Sequence, residues 1–464
     1  MEDAKEQTRS SIIKTILLLA IPVVIENFFQ MILGFVDTLF VSKLGLIEVS
    51  AVGVTNAILA IYFAVFMAIG ISANVYVAKY IGAGRQEKVK EVTAQSILLA
   101  SFVGVFFGLL TLFFSEELLR LMGVENGVLS AANSYFRIVA IPSIFISLMF
   151  VLSSVLRGNG DTKSPMKISI FINLINILLD YILIFGFLFI PALGIEGAAY
   201  ATLISRLIGS IGLFIYIRKA NMIEWRSDFW WINKKMLLEI ISLSSPAAAE
   251  RLAMRVGQVL YFGLIVSIGI NTFAAHQIAG NIEVFAYMIG YGFATAATTL
   301  VSKCIGSGEV EKAREYARYS LWIGTAVMSL FGILLFIGGE WIGGFFTSDA
   351  AVINQIKTAL QIDAFIQPIL AIVLILTGIY QGAENTKYPF YLTLVGIWVI
   401  RTGGVYFLGI TLGLGIAGIW IAIGLDNLYR AAFLLKNFRN GKWKKKSQFL
   451  QQRLRGTDSF LFYN

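Results

Sequence analysis

The sequence predicts an all-α integral membrane protein of about twelve transmembrane helices, arranged as two six-helix bundles related by a pseudo-twofold axis. Three observations carry this. The chain of 464 residues is 57% hydrophobic and only 14% charged, against about 25% charged in an ordinary soluble domain. Its mean hydropathy is +0.77, with apolar runs long enough to cross hydrocarbon recurring from end to end. Finally, one pattern of residues occurs twice at a constant separation.

Taken in order, spans are expected near 12–40, 47–78, 91–114, 129–156, 164–190 and 195–218. A second set follows near 236–268, 273–302, 315–338, 350–380, 387–410 and 413–436. The start, MEDAKEQTRSSIIK, is polar and reads as a leader into the first span rather than a cleavable signal. Alternate loops are basic: Lys79 to Lys90, Arg157 to Lys167, Arg218 to Lys235, Lys303 to Arg318, Lys387, and the tail from Lys436. The others, such as SEELLRLMGVENG, are acidic or neutral. The positive-inside rule then puts both termini in the cytosol of a multi-pass cell-membrane protein. The expected units are an amino-terminal lobe at 1–218, a cytosolic linker at 219–235, a carboxyl-terminal lobe at 236–437 and a basic tail at 438–464. Trp225, Trp230 and Trp231 suit a linker lying on the membrane surface.

The repeat has one register. Pro22, Glu26, Gly45 and Ala51 align with Pro246, Glu250, Gly269 and Ala275. The run Lys79 to Gly84 aligns with Lys303 to Gly308, and Gly158, Thr162, Lys163 and Pro165 with Gly382, Thr386, Lys387 and Pro389. All share one offset (246 − 22 = 389 − 165 = 224). Gly194 and Ile195 match Gly415 and Ile416 after a slip of three (415 − 194 = 221). An even number of helices per repeat makes the two copies parallel, with the axis along the membrane normal.

Composition also excludes. A net charge of +9 lies in loops and tail, where topology accounts for it, so no nucleic-acid partner is implied. A single Cys304 and a single His276 rule out an intrachain disulfide and a zinc triad. Gly82-Ala83-Gly84 and Gly306-Ser307-Gly308 follow helices and lack the phosphate-loop spacing, so they read as helix stops. No cofactor is implied, and energy must come from an ion gradient.

Ionisable groups inside spans are functional candidates by default. On the first helix, Glu26, Gln30 and Asp37 fall within about 40° of one another, and Pro22 marks a hinge. Asp37 lies about 34 Å from Lys14 and Asp180 about 22 Å from Pro165, so both reach the outer half. Asn173 and Asn176 share the face of Asp180, and Thr202 reaches the same depth, with no base expected there. Two carboxylates, an amide and a hydroxyl suit either a shared proton or a hard cation such as Na⁺. Their structural role would be to hold helices together. In the second half, Asp37 is matched by Tyr261 and Asp180 by Gly404. Glu250 and Asp363 either pair with Arg401 as a structural ion pair or form a second cation site. Asp426 and Arg206 read as a further structural pair, and His276 as interfacial. Met149, with Glu26, Gln30 and Asn173, is a candidate for the substrate cavity.

These residues resemble the multidrug and toxic compound extrusion (MATE) family over roughly 12–437. The likeness rests on Pro22 with FVDTLFVSKLG, AKYIGAGR, RGNGDTKSP, NILLDYILIFG, GIEGAAYAT and the Pro246/Glu250 pair. It implies two bundles around a cavity open to one side at a time. It also implies export of amphiphilic, often cationic drugs or dyes in exchange for H⁺ or Na⁺, by a monomer in a lipid bilayer. Asp37, Asn176, Asp180 and Thr202 map onto the family's amino-lobe cation site. That set resembles the DNA-damage-inducible branch more than the NorM-like branch, whose acids map to Glu250 and, more loosely, Asp363. A lipid-linked oligosaccharide flippase of the same superfamily is the alternative implied.

Overall fold

The computed structural model describes residues 2–224 and 227–444, so Trp225 and the tail beyond 444 lie outside the described residues. The helices in order are α1 (Glu2–Ser42), α2 (Leu46–Gly82), α3 (Gln86–Leu121), α4 (Asn126–Ala140), α5 (Ser143–Gly158), α6 (Lys163–Phe185), α7 (Ile195–Lys219) and α8 (Ser227–Trp230). Then come α9 (Lys234–Ile268), α10 (Ile270–Gly306), α11 (Val310–Phe346), α12 (Ala350–Gly382), α13 (Lys387–Val395), α14 (Thr402–Gly404) and α15 (Gly415–Arg439). Among the described residues, eleven helical spans, one of them the whole stretch Lys387–Thr411, are long and apolar enough to cross a membrane, or up to twelve with α4 and α5 counted as one bent span. Phe35, Phe102, Leu178, Trp322 and Ile337 are exposed within these spans.

Three spans depart from the sequence expectation. The single span expected at 129–156 is broken into α4 and α5, which meet at 48°, because Pro142 between them has no amide hydrogen to continue the ladder. The span expected at 164–190 stops at Phe185. Gly186 takes a φ of 80°, the left-handed conformation of a helix stop, and Phe187 pairs with Ile190 in a tight turn. The span at 387–410 winds as a π-helix over Gly396–Arg401 and Val405–Thr411. There the Thr402 hydroxyl donates to Ile397 O, five residues back, at 2.9 Å.

The helices pack as two compact units, Ile25–Ala248 and Met1–Val24 with Ala249–Asn464. The divisions fall at one repeat position (249 − 25 = 224), just past Pro22 and Pro246. Ile12, Ile16, Leu19 and Ala20 of α1 join the core of Phe293, Ala297, Tyr380 and Leu434. In return, Met236, Ile240, Leu243 and Ala247 of α9 join the core of Val75, Val92, Val155 and Leu213. The packing units therefore exchange the first turns of α1 and α9 relative to the sequence repeat.

The linker is tied to its own unit. Gln95 of α3 donates to Phe229 O at 3.1 Å and Trp231 O at 2.8 Å, and accepts from Asn233 N at 3.2 Å. Lys90 pairs with Glu224 at 2.7 Å, and the Trp230 indole donates to Glu224 O at 3.1 Å.

The repeat is repeated in contacts as well as letters. A Cβ on Gly158 would meet Asn74 O at 2.7 Å, and one on Gly382 would meet Thr298 O at 2.6 Å. Both residues of the pair are offset by 224 (382 − 158 = 298 − 74 = 224). Likewise Gly70 faces Ser154 and Gly378 faces Ala294 (294 − 70 = 378 − 154 = 224). Small residues let helix backbones approach where no hydrophobic force drives them together. The π winding shifts this register by one. Leu193 N donates to Leu183 O and Leu414 N to Leu408 O, so the offset near the end of the helix is 225 (408 − 183 = 225). Past the first π stretch the counterpart of Asp180 is therefore Val405, not Gly404.

Substituting Gly158 or Gly382 by Val should cost about 1–3 kcal/mol each and lower the thermal midpoint in detergent. An unchanged midpoint would show that these backbones do not touch.

Candidate functional site

In unit Ile25–Ala248 the polar candidates come together on four helices. The α6 face carries Ser169, Asn173, Asn176 and Asp180, spaced one or two turns apart, and all four are buried, Asp180 fully. Asp37, near the end of α1, is half-buried, and its carboxyl lies within hydrogen-bonding reach of Asp180. Thr202 of α7 donates to Ala198 O at 3.0 Å, and Tyr135 of α4 lies within electrostatic reach of Asp37, Asp180 and Arg206. Among the described residues, both Asp180 oxygens, Asp37 Oδ1, Asn173 Nδ2 and Asn176 Nδ2 are buried with no hydrogen-bond partner. Buried polar atoms are nearly always paired, so these five unpartnered atoms on adjoining helices make the cluster a candidate site. Two carboxylates, an amide and a hydroxyl are oxygen donors that fit a proton or a hard cation.

Sequence reasoning missed two members. Tyr135 is buried in the unit's core, and nothing in the sequence pattern set it apart. Arg206, four residues beyond Thr202 on α7, is the basic group that the sequence reading did not expect at this depth. Its guanidinium sits 5.8 Å from the Phe63 ring centroid, among the charged neighbours of Asp37 and Tyr135. The spacing of i and i+4 from Thr202 was the available signal. The proposed Asp426–Arg206 pair is not formed, because Asp426 is enclosed by arginines of its own unit.

The other candidates on α1 and α5 have structural partners. Glu26 forms an ion pair with Arg157 at 2.7 Å, a residue that charge counting assigns to the following loop. Gln30 is exposed and reaches Ser169 Oγ only at 3.5 Å. Met149 lies against Gly209 and packs on the core. Pro22 is carried within an unbroken α1.

The second unit spends its charge differently. Asp426 accepts from Arg401 Nη2 at 2.7 Å and Nε at 2.9 Å, and from Arg430 Nε at 2.9 Å. Arg430 Nη2 also donates to Asn427 Oδ1 at 2.9 Å. Gly396 lies against Asp426 and Arg430, where any side chain would collide. Arg401 thus pairs with Asp426, and not with Glu250 or Asp363 as expected. Glu250 is buried and accepts from Thr393 Oγ1 at 2.8 Å, and Asp363, fully buried, accepts from Gln367 Nε2 at 2.7 Å. His276 is buried between Tyr261, Phe262 and Trp420, with ring centroids at 6.1, 5.4 and 5.7 Å. Its flanking aromatics enclose it more deeply than its place near the helix start suggests.

Duplicated membrane bundles that keep acids inside their spans are the architecture of transport proteins. The MatE family model matches this chain twice, over residues 22–182 and 246–427, and the chain belongs to that family, the multidrug and toxic compound extrusion transporters. It is a transporter and not an enzyme. It is 31% identical over 446 residues, 95% of each chain, to the "Probable multidrug resistance protein NorM" of Thermotoga maritima. It is 28% identical over 451 residues to the "Multidrug resistance protein MdtK" of Yersinia pseudotuberculosis, covering 95% of this chain and 98% of the other. A crystal structure of MATE in the straight conformation shares the fold with a TM-score of 0.87 at 24% identity, covering 94% of this chain and 97% of that one.

Asp426→Ala would leave Arg401 and Arg430 buried without their shared counter-charge. Breaking a buried pair on one side costs about 3–5 kcal/mol, so the variant should unfold at a markedly lower temperature in detergent. Wild-type stability would mean that water already solvates these arginines.

Proposed function

We propose that this protein is a secondary active multidrug exporter that exchanges amphiphilic, mostly cationic organic compounds for H⁺ or Na⁺. Coupling occurs at Asp37, Asn176, Asp180 and Thr202. The observation that carries the reading is Asp180, fully buried beside Asp37 with neither oxygen hydrogen-bonded. A carboxylate left like this inside a span is costly unless a cation or proton occupies it for part of the cycle. The printed names of the relatives, "multidrug resistance protein", support the substrate class. The donor set on α1, α6 and α7 supports the amino-lobe branch over a coupling site at Glu250 and Asp363, each of which has a donor of its own.

Neutralising the pair removes the local attraction for a cationic compound, and a coupling of about 1–3 kcal/mol suffices to alternate affinity. Pro22 leaves one backbone carbonyl of α1 without its helical partner, so the helix can bend there as the pair changes charge. The protein works in the cell membrane with both termini cytosolic, as the distribution of basic loops requires. All members of the site come from one chain, so a monomer suffices.

The test is ethidium and norfloxacin transport in proteoliposomes, driven separately by a pH gradient and by a Na⁺ gradient. Asp37→Asn should still bind drug but lose gradient-driven transport by at least about tenfold, and the gradient that drives wild type names the ion. Normal transport by Asp37→Asn would move coupling to Glu250 and Asp363. Drug binding without transport in wild type would favour the flippase reading. Pro22→Ala should slow transport while leaving thermal stability unchanged or higher; an unaltered rate would remove the bend from the mechanism.

A further inference from the structure

Arg255 of α9 is a charge that the exchange reading does not use. It lies about 32 Å along the helix from Lys234 and about 20 Å from Ile268. The far end of α9 is apolar on both sides of its turn into α10 (VSIGINTF). Hydrocarbon about 30 Å thick, counted back from there, takes in about twenty residues and leaves Arg255 about 10 Å inside it. Yet Arg255 is exposed. Among the described residues its one polar contact is the neutral Gln258 of its own helix, with Nη1 donating to Oε1 at 3.2 Å. A guanidinium bare to lipid at that depth is too costly to persist, so this face of α9 meets water. Arg251, Arg255 and Gln258 fall within about 60° of one another on it, and Arg251 lies over the Tyr291 ring of α10 at 5.9 Å. The acid next in sequence, Glu250, accepts from Thr393 at 2.8 Å. Like charges one turn apart destabilise a helix, and the scaffold does not require them. The other copy of the repeat has Asn27 and Met31 at these positions (251 − 27 = 255 − 31 = 224).

We propose that Arg255, with Arg251 beside it, binds the carboxylate of amphiphilic substrates, so that the transporter prefers zwitterionic compounds to cations that lack the anionic group. A guanidinium stays charged under any condition the protein meets, and its planar fork matches the two oxygens of a carboxylate. A carboxylate seated there supplies Arg255 with the counter-charge that its own helix does not, and relieves its repulsion with Arg251. Val259, one turn further on and exposed, continues the same face with apolar surface for the body of an amphiphile. This inference rests on the exporter reading proposed above and names a substrate class for it.

The test compares two ligands that differ only in the anionic group. Norfloxacin is a zwitterion, and its ethyl ester keeps the ammonium but lacks the carboxylate. In titrations of the full-length protein in detergent at neutral pH, wild type should bind norfloxacin at least about tenfold more tightly than the ester, as charge-assisted hydrogen bonds provide. Arg255→Gln should bring that ratio to about one by weakening norfloxacin. Arg255→Lys, which keeps the charge without the fork, should fall between. A wild type that binds the ester as tightly as norfloxacin overturns the proposal, as does an Arg255→Gln protein that keeps the preference or loses both compounds equally. Should Arg255→Gln fail to fold, the wild-type ratio and Arg255→Lys decide. Phosphatidylglycerol that raises the thermal midpoint of wild type and not of Arg255→Gln, with no preference for norfloxacin over its ester, would assign the arginine to a lipid phosphate and overturn the carboxylate. Ethidium separates the failures: a wild type that binds none of the three compounds sinks the exporter reading and this inference with it. One that binds ethidium but does not favour norfloxacin over its ester condemns only the carboxylate site.

Discussion

A fully buried carboxylate without a donor is the constraint around which this molecule is arranged. Hydrocarbon offers Asp180 no water, so its charge can be met only by its neighbours or by something that comes and goes. The neighbours bring a second carboxyl from Asp37, the amides of Asn173 and Asn176 on the same helix face, and Tyr135 within electrostatic reach. None of these closes the account of hydrogen bonds on Asp180. Several other acids in the spans have donors: Glu26 in Arg157, Glu250 in Thr393, Asp363 in Gln367, and Asp426 in two arginines. Asp180 differs from these four in that neither of its oxygens has one.

The duplication explains why one unit holds this exception and the other does not. Helix backbones are gripped in both units through the same small residues, Gly158 on Asn74 and Gly382 on Thr298. That scaffold tolerates different charges at its polar positions. Tyr261 stands where Asp37 does, and the one-residue shift produced by the π-helical stretches puts Val405 where Asp180 does. Gly396 opens the space in which Arg430 reaches Asp426. π-Helical winding is rare and concentrates at functional positions, and here its first stretch ends at Arg401. One copy of the repeat thus keeps an open acid pair, while the other encloses an acid within two permanent cations.

Much of this was legible in the letters, for physical reasons. Hydrocarbon demands long apolar helices, so their number and order follow from hydropathy. The fixed offset of 224 exposed the duplication because both copies must preserve the same close glycine contacts. Asp37, Asn176, Asp180 and Thr202 could be grouped because depth along a helix is a matter of counting, at 1.5 Å per residue. Counting does not say which side of a neighbouring helix a group faces. Arg206 was therefore paired with Asp426, and Arg401 with the wrong acids.

The sequence by itself determined the class of protein, its helices, its duplication and the depth of its acids, because each depends on local periodicity and on the energetic cost of polar groups in lipid. Tertiary structure alone decided which charges meet. It broke the fourth span at Pro142, ended the fifth at Gly186 and shifted the register of the eleventh by one residue. It moved the packing boundary into the middle of α1 and α9, and set Arg206 beside Asp37 while enclosing Asp426 between Arg401 and Arg430. These depend on helix rotation and on contacts between residues far apart in the chain, which no spacing along one helix encodes.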